Sequence, residues 1–201
     1  GVLEVVQLLR QSGFQALLAG GCVRDLLLGR TPKDWDVATD AAPEEVERLF
    51  AQTVSVGAKF GIVVVIMGER HYEVARFRRD GLYRDGRRPE RVGYADAKAD
   101  AWRRDFTING MFFDPLRGQL IDYVGGRQDI AKGIIRAIGD PEQRLSEDYL
   151  RLLRTVRFAA RLDFSIESAT FAALRAHAGR IKEVSAERIR AELTLLLTEG
   201  G

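Results

Sequence analysis

The chain of 201 residues has a single cysteine, Cys22, and two histidines, His71 and His177. One thiol excludes a disulfide framework and a cysteine-based zinc site, and it suits the reducing cytoplasm. The histidines lack sequence neighbours that would make a nucleophilic dyad or a zinc ligand set, so both are read as packing or surface residues. No apolar run approaches the roughly 20 residues that a membrane-spanning helix needs, and no basic region followed by a signal-like core opens the chain, so no membrane partner is expected. The start at Gly1 instead of Met predicts a piece of a longer protein. Net charge is also small, +2, although 30% of residues are charged. Recruitment of nucleic acid then falls to local basic clusters, of which the arginine-dense stretch 76–104 is the most obvious. No internal repeat or low-complexity tract is present.

What is present concentrates in residues 20–39. The apolar run Ala16-Leu17-Leu18-Ala19 predicts a buried strand, and Gly20-Gly21 after it permits a tight turn whose N–H groups face an anion. Arg24 and Arg30 can hold that anion by charge. Asp34 and Asp36 flank Trp35 in a segment continuing as Val37-Ala38, so on a strand both carboxylates would share one face. A bare Asp-x-Asp is weak evidence, since a solvated strand edge looks the same. Beside a phosphate-binding turn it describes a site for a hard divalent cation carrying a nucleoside triphosphate.

Hydropathy periods predict helices at 2–10 and 44–52 and strands at 54–56, 61–67 and 71–77, the last two forming a hairpin. Residues 80–100 read as a long polar loop; 118–124 and 134–138 read as short strands closing the first domain. From Asp140-Pro141 onward the spacing is helical, broken near Leu162-Asp163 and across 179–185. The fold class is therefore α+β: a mixed head, residues 1–139, with a small mixed sheet, followed by an all-helical neck, residues 140–201.

Three further clusters carry chemistry. Glu73, on the strand expected beside the aspartates, is a candidate third carboxylate, the alternative being an outward-facing glutamate paired with an arginine. Asp105 and Asn109, spaced i, i+4 after Arg103-Arg104, suit contacts to a ribose and phosphate. In Glu147-Asp148-Tyr149-Leu150-Arg151, a buried stripe of Tyr149, Leu152, Leu153, Val156 and Ala160 leaves Asp148, Arg151 and Arg154 together on another face. The bland account is an exposed salt-bridge ladder. The sharper one is an acceptor and a fork donor reading a base edge, selecting cytosine or adenine by the exocyclic amine.

Taken together, Gly20-Gly21-x-Val23-Arg24-Asp25 through Asp34-x-Asp36, then Arg103-Arg104-Asp105-Phe106-Thr107-x-Asn109, residues 122–129, and Glu147-Asp148-x-x-Arg151 resemble, in order, motifs A to D of the class II tRNA nucleotidyltransferases. Glu187-Arg188-Ile189-Arg190-x-Glu192-Leu193 resembles their fifth motif. The resemblance spans nearly the whole chain. It implies a polymerase-β-type head and helical neck that add nucleotides from ATP, and from CTP, to the 3′ end of tRNA without a template. By that likeness Asp34 and Asp36 hold Mg²⁺, while Glu73 stays a candidate third catalytic carboxylate on its strand position alone. Gly20, Gly21 and Arg24 bind the triphosphate, Arg104, Asp105 and Asn109 the sugar and phosphates, and Asp148 and Arg151 select the base. Arg154 and Arg157 support that selection or the phosphates, and 122–129 couples head to neck. Gly110 stands where alanine is usual, which predicts a looser helix.

Bacterial poly(A) polymerases share motifs A to D but typically carry an extra Gly-Arg-Arg-aromatic stretch in the following sheet. Here that region, 56–64, resembles the tRNA enzymes. Enzymes adding only CC lack much of the loop that this chain retains at 78–89, so terminal A addition is expected, as part of CCA or alone. Two other classes remain as alternatives: a catalytically idle RNA-binding module, and an Asp-x-Asp glycosyltransferase using a nucleotide sugar, which explains neither Gly20-Gly21 nor the Glu147 cluster.

Overall fold

The computed structural model describes residues 1–56, 61–81 and 92–199. Most of the 78–89 loop and part of the 56–64 stretch, on which the subtype expectations rest, lie outside the described residues. The first part of the chain forms α1 (Val2–Gln11), β1 (Ala16–Ala19), α2 (Gly21–Leu27), β2 (Asp36–Thr39), α3 (Pro43–Leu49), β3 (Thr53–Ser55), β4 (Ile62–Met67) and β5 (Arg70–Arg76). It continues through β6 (Arg78–Asp80), β7 (Val92–Tyr94), α4 (Ala97–Trp102), a 3-10 turn (Thr107–Asn109), β8 (Met111–Asp114), β9 (Gln119–Asp122), α5 (Gly126–Lys132) and β10 (Ile134–Ile135).

Seven strands make one mixed sheet in the order β3-β4-β5-β2-β1-β8-β9. The β2/β5 pairing is parallel and the other pairings in this sheet are antiparallel. The two-residue side-chain period assigns the faces. Ala16, Leu18, Val37, Val63, Val65 and Val74 join Val5, Val6 and Leu9 of α1 in one core. Leu17, Ala19, Ala38 and Phe112 on the opposite face meet Phe77 and Ala97 and Ala101 of α4. The β6/β7 hairpin pairs Arg78 with Tyr94, so the expected loop 80–100 contains strand and helix at its ends.

The remainder is α6 (Pro141–Glu147), α7 (Leu150–Leu162), β11 (Ser165–Ile166), α8 (Ser168–His177), a 3-10 segment (Ala178–Glu183) and α9 (Ala186–Glu199). Asp140 caps α6 by accepting from the Glu142 N–H at 3.1 Å. The region is not wholly helical: β11 pairs in parallel with β10. Residues 134–138 accordingly do not close the sheet. Ile135 packs with Phe106 and Ile108 against Phe158 and Leu162 of α7, because that helix supplies the apolar cover the strand needs.

The buried stripe of α7 also differs from expectation. Val156 is 41% exposed, whereas Arg151, Thr155, Phe158 and Leu162 are buried at i, i+4, i+7 and i+11. Tyr149 and Leu152 are buried as expected, but three polar residues, Arg151, Thr155 and Arg157, are buried too, so an apolar count misses part of the inward face. Gly110 follows a 3-10 turn, not an α-helix, and a Cβ there would stand 2.7 Å from Val124 Cγ2 and 2.9 Å from Ile138 Cδ1. Its small size answers to packing.

Gly126, at the start of α5, is under tighter constraint. A Cβ would lie 2.2 Å from the Thr107 carbonyl oxygen, a backbone atom, and 2.9 Å from Met111 Sδ. Gly126→Ala is expected to lower stability by about 1–3 kcal/mol, read as a reduced urea midpoint with an unchanged slope.

Candidate active site

The turn between β1 and α2 is built around Gly20, at φ 71° and ψ −128°. A Cβ there would meet Arg104 Nη1 at 2.8 Å and Asp36 Oδ2 at 3.9 Å, so glycine lets a guanidinium and a carboxylate approach the turn together. Arg104 is aimed by Asp100, whose Oδ2 accepts from Nε at 3.1 Å and Nη2 at 2.9 Å, and Arg104 Nη1 donates to the Asn109 carbonyl at 3.4 Å. Burial would raise the Asp100 carboxyl, but Arg104 and Arg103 together hold it below the ordinary value.

Asp36 opens β2, and its parallel register partner on β5 is Glu73. Asp34 precedes the strand in a bend, so the expected alternation of both aspartates along one strand does not occur. The turn out of Pro32 interrupts regular backbone there. The charges still interact: Asp36 is pushed up to about 6 by burial, then by Glu73 and Asp34, against the lowering effect of Arg104. Among the described residues, no group of three or more His, Cys, Asp or Glu is close enough to hold a metal on its own. Asp34 and Asp36 line a cavity of about 250 Å³ with Gly21, Arg24 and Asp25, facing Arg157 and Arg161 of α7 and Leu195 of α9.

A continuous polar relay runs from this cavity into the helical region. Buried Arg24 donates to Asp25 Oδ1 at 2.8 Å and to Asn109 Oδ1 at 2.9 Å. Asn109 Nδ2 donates to Asp105 Oδ1 at 3.2 Å, and Arg154 Nε donates to Asp105 Oδ2 at 2.8 Å. Arg154 also reaches Glu192 Oε1 at 3.4 Å, and Arg157 Nε donates to Glu192 Oε2 at 2.6 Å. Asp105 and Asn109 therefore meet as expected, through a 3-10 turn in place of an α-helical face. The guanidiniums of Arg24, Arg154 and Arg157 all lie over Phe158, at 5.3, 5.2 and 4.3 Å from its ring centroid. Burial would raise the Asp105 carboxyl, but the charges of Arg154 and Arg151 and hydrogen bonds from Arg154 and Asn109 outweigh it and hold it at about 2.

Asp148 and Arg151 are not side by side on one helix. Asp148 lies between α6 and α7, where Arg188 of α9 donates to both of its oxygens, at 3.1 and 2.7 Å. Arg151 is buried and donates to Glu147 Oε2 at 2.5 Å and to the Arg144 carbonyl at 2.6 Å. Arg154 points instead to Asp105. The i, i+3, i+6 count presumed a helix through 148, but the chain bends there.

Arg144 and Arg136 have no role in the sequence reading, and Asp122 and Asp129 have only a general one within the 122–129 stretch. Arg144 donates to the Trp102 carbonyl at 2.7 Å and the Ile138 carbonyl at 3.0 Å, tying α6 to α4. Asp122 accepts from the four N–H groups of Val124, Gly125, Gly126 and Arg127. Asp129 accepts from Thr107 at 2.7 Å and from Arg136, which also pairs with Glu167 at 3.5 Å. Asp100, which aims Arg104, is also absent from the sequence reading, although an acidic residue four before an arginine is a signal for such a pair.

Comparison with known proteins places this arrangement. The family model of the poly A polymerase head domain matches residues 16–136, and that of the probable RNA and SrmB-binding site of polymerase A matches 163–201. A CCA-adding enzyme of Lactobacillus helveticus is 44% identical over 191 residues, 94% of this chain and 48% of the relative. The structure of the Bacillus stearothermophilus CCA-adding enzyme in complex with CTP superposes with a TM-score of 0.89 at 41% identity, covering 98% of this chain and 47% of that one. The Thermotoga maritima CCA-adding enzyme complexed with tRNA gives 0.81 at 30% identity, covering 98% and 46%. The chain thus spans about half the length of these relatives.

The depressed Asp105 carboxyl has a sign for stability. Its folded pKa, about 2, lies below the ordinary aspartate value of 3.8, so its contribution is complete above the unfolded value and is lost as pH falls through the folded one. Denaturant titrations from pH 5 to pH 2 are expected to show a loss on the order of 2 kcal/mol that Asp105→Asn removes from the pH profile.

Proposed function

Since the chain belongs to the poly(A) polymerase head-domain family, we propose that it adds nucleotides from CTP and ATP to the 3′ end of tRNA, without a nucleic-acid template. The observation that carries this is the cavity in which Gly21, Arg24, Asp34 and Asp36 of the sheet region face Arg157 and Arg161 of α7. It offers anion ligands, acidic oxygens and a helical wall within reach of one nucleotide. The relatives named above favour addition of CCA over a poly(A) tail.

Asp34 and Asp36 fit a magnesium ion. Their donors are oxygens, Asp36 is crowded by like charge, and two carboxylates leave coordination positions for phosphate oxygens and water, as this ion prefers. When bound, Mg²⁺ would activate the 3′-hydroxyl and offset the charge of the departing pyrophosphate. The chain's own residues do the rest. The turn at Gly20 and Gly21, with Arg24 and Arg104, holds the triphosphate in line with the attacking oxygen. Glu73, exposed on β5 in register with Asp36, would orient the hydroxyl as a third carboxylate. Asp105 and Asn109 fix the sugar side of the site. Asp148 accepts from the exocyclic amine of cytosine or adenine, and Arg151 donates to the ring acceptors, while Arg154 and Arg157 brace this wall. In this division residues 1–139 run the phosphoryl chemistry and 140–201 choose the base. No helix among the described residues is long and apolar enough to cross a membrane; a cytoplasmic setting accords with a tRNA substrate and a single thiol.

Two experiments test this. Asp36→Ala is expected to reduce incorporation of labelled ATP into tRNA lacking its final A by at least ~1000-fold; full activity would overturn the metal assignment. Supplied with tRNAs lacking CCA, CA or A, the parent protein is expected to add C to the first two and A to the third. A heterogeneous A tail would overturn the tRNA assignment.

A further inference from the structure

Three donors converge on the carboxylate of Asp148. Arg188 Nη1 bonds Oδ1 at 3.1 Å and Nη2 bonds Oδ2 at 2.7 Å, while the Leu150 N–H adds a second bond to Oδ1 at 3.1 Å. A carboxylate oxygen presents about two acceptor directions. Those of Oδ1 are both taken, and Oδ2 keeps one. The pair is not sealed from a ligand, since the Arg188 and Asp148 side chains are 27% and 18% exposed.

We propose that Arg188 is a positioning residue for base selection: it locks the Asp148 carboxylate so that one acceptor direction, on Oδ2, remains for the exocyclic amine of the incoming base. This rests on the assignment of Asp148 to the base made above. The terminal torsion of an aspartate is broad and roughly two-fold. An unheld carboxylate would swing its four acceptor directions through the site and also accept the ring N–H of uracil or guanine. The fork removes that freedom, because two parallel bonds fix the carboxylate plane where one would leave it free to rotate. Leu150 then settles which of the two oxygens stays open.

The placement of Arg188 adds to this role. It lies one turn before Glu192 on α9, so the two share a face of that helix. Glu192 holds Arg154 and Arg157, and Arg188 holds Asp148. One helix face thereby sets the carboxylate that reads the base and the guanidiniums that line the wall.

The test compares the parent protein with Arg188→Met, Arg188→Lys, Asp148→Asn and the Arg188→Met/Asp148→Asn double variant. Each is given tRNA lacking its final A and ATP, CTP, UTP or GTP in turn. Arg188→Met is expected to reduce the preference for ATP over UTP and GTP by about tenfold, mainly through KM, with the thermal midpoint close to the parent's. Arg188→Lys keeps the charge without the fork and should fall between the two. Asp148→Asn should lose the same preference, and the double variant should lose little more. Unchanged selectivity in Arg188→Met alongside lost selectivity in Asp148→Asn would overturn the positioning role and leave the base assignment standing. So would a fall in kcat shared equally by all four nucleotides. Unchanged selectivity in Asp148→Asn would overturn the base assignment and, with it, the role of Arg188.

Discussion

The carboxylate of Asp105 is the constraint on which the rest of the site depends. It is buried between the sheet region and α7, where an isolated charge would be prohibitively costly, and it persists because donors from both sides satisfy it. Asn109 faces Arg24 with its amide tied to Asp105, and Arg154 reaches Glu192 while bound to Asp105. Arg24 on one side of the cavity and Arg157 on the other are thus joined by hydrogen bonds of fixed direction as well as by contact with Phe158. A hydrophobic replacement could fill the same space, but it would not orient Asn109 or Arg154.

This arrangement separates two tasks. In the proposed function, Arg24, Arg104, Asp34 and Asp36 are assigned to groups that every nucleoside triphosphate shares, which carry no information about the base. Discrimination is thereby left to the helical region, where the acceptor of Asp148 and the donors of Arg151 are held by neighbouring groups. Arg151 illustrates the cost of holding them. Its burial is tolerated because Glu147 and two carbonyls, those of Arg144 and Arg103, receive its donors. The same bonds bring α7 against the end of α4. The side chain assigned to the base in the proposed function is thus also one that attaches the helical region.

Much of this was legible in sequence where the cause is local. The buried strand before Gly20, the Asp140-Pro141 helix start and the interruption at Asp163 each follow from a few adjacent residues, and all are present. What was not legible depends on residues distant in the chain. Arg188 and Asp148 are 40 residues apart, and nothing in either segment announces the other. Thr155 and Arg151 look like an outer face of α7 until their partners are known, which is why Val156 was placed inside. The 134–138 strand was misassigned for a related reason: its apolar residues announce burial but not which layer will cover them.

The parallel pairing of β2 with β5 carries a temporal consequence. Neighbouring parallel strands cannot be joined by a hairpin, and here the connection runs through α3, β3 and β4 before β5 returns beside β2. Asp36 and Glu73 therefore become neighbours only after that crossover has closed, a step with a large loop-closure cost. Until then the chain can carry every residue of the site and still have no acidic cluster. The proximity of Asp36 to Glu73 is thus a property of the closed crossover and of neither strand alone.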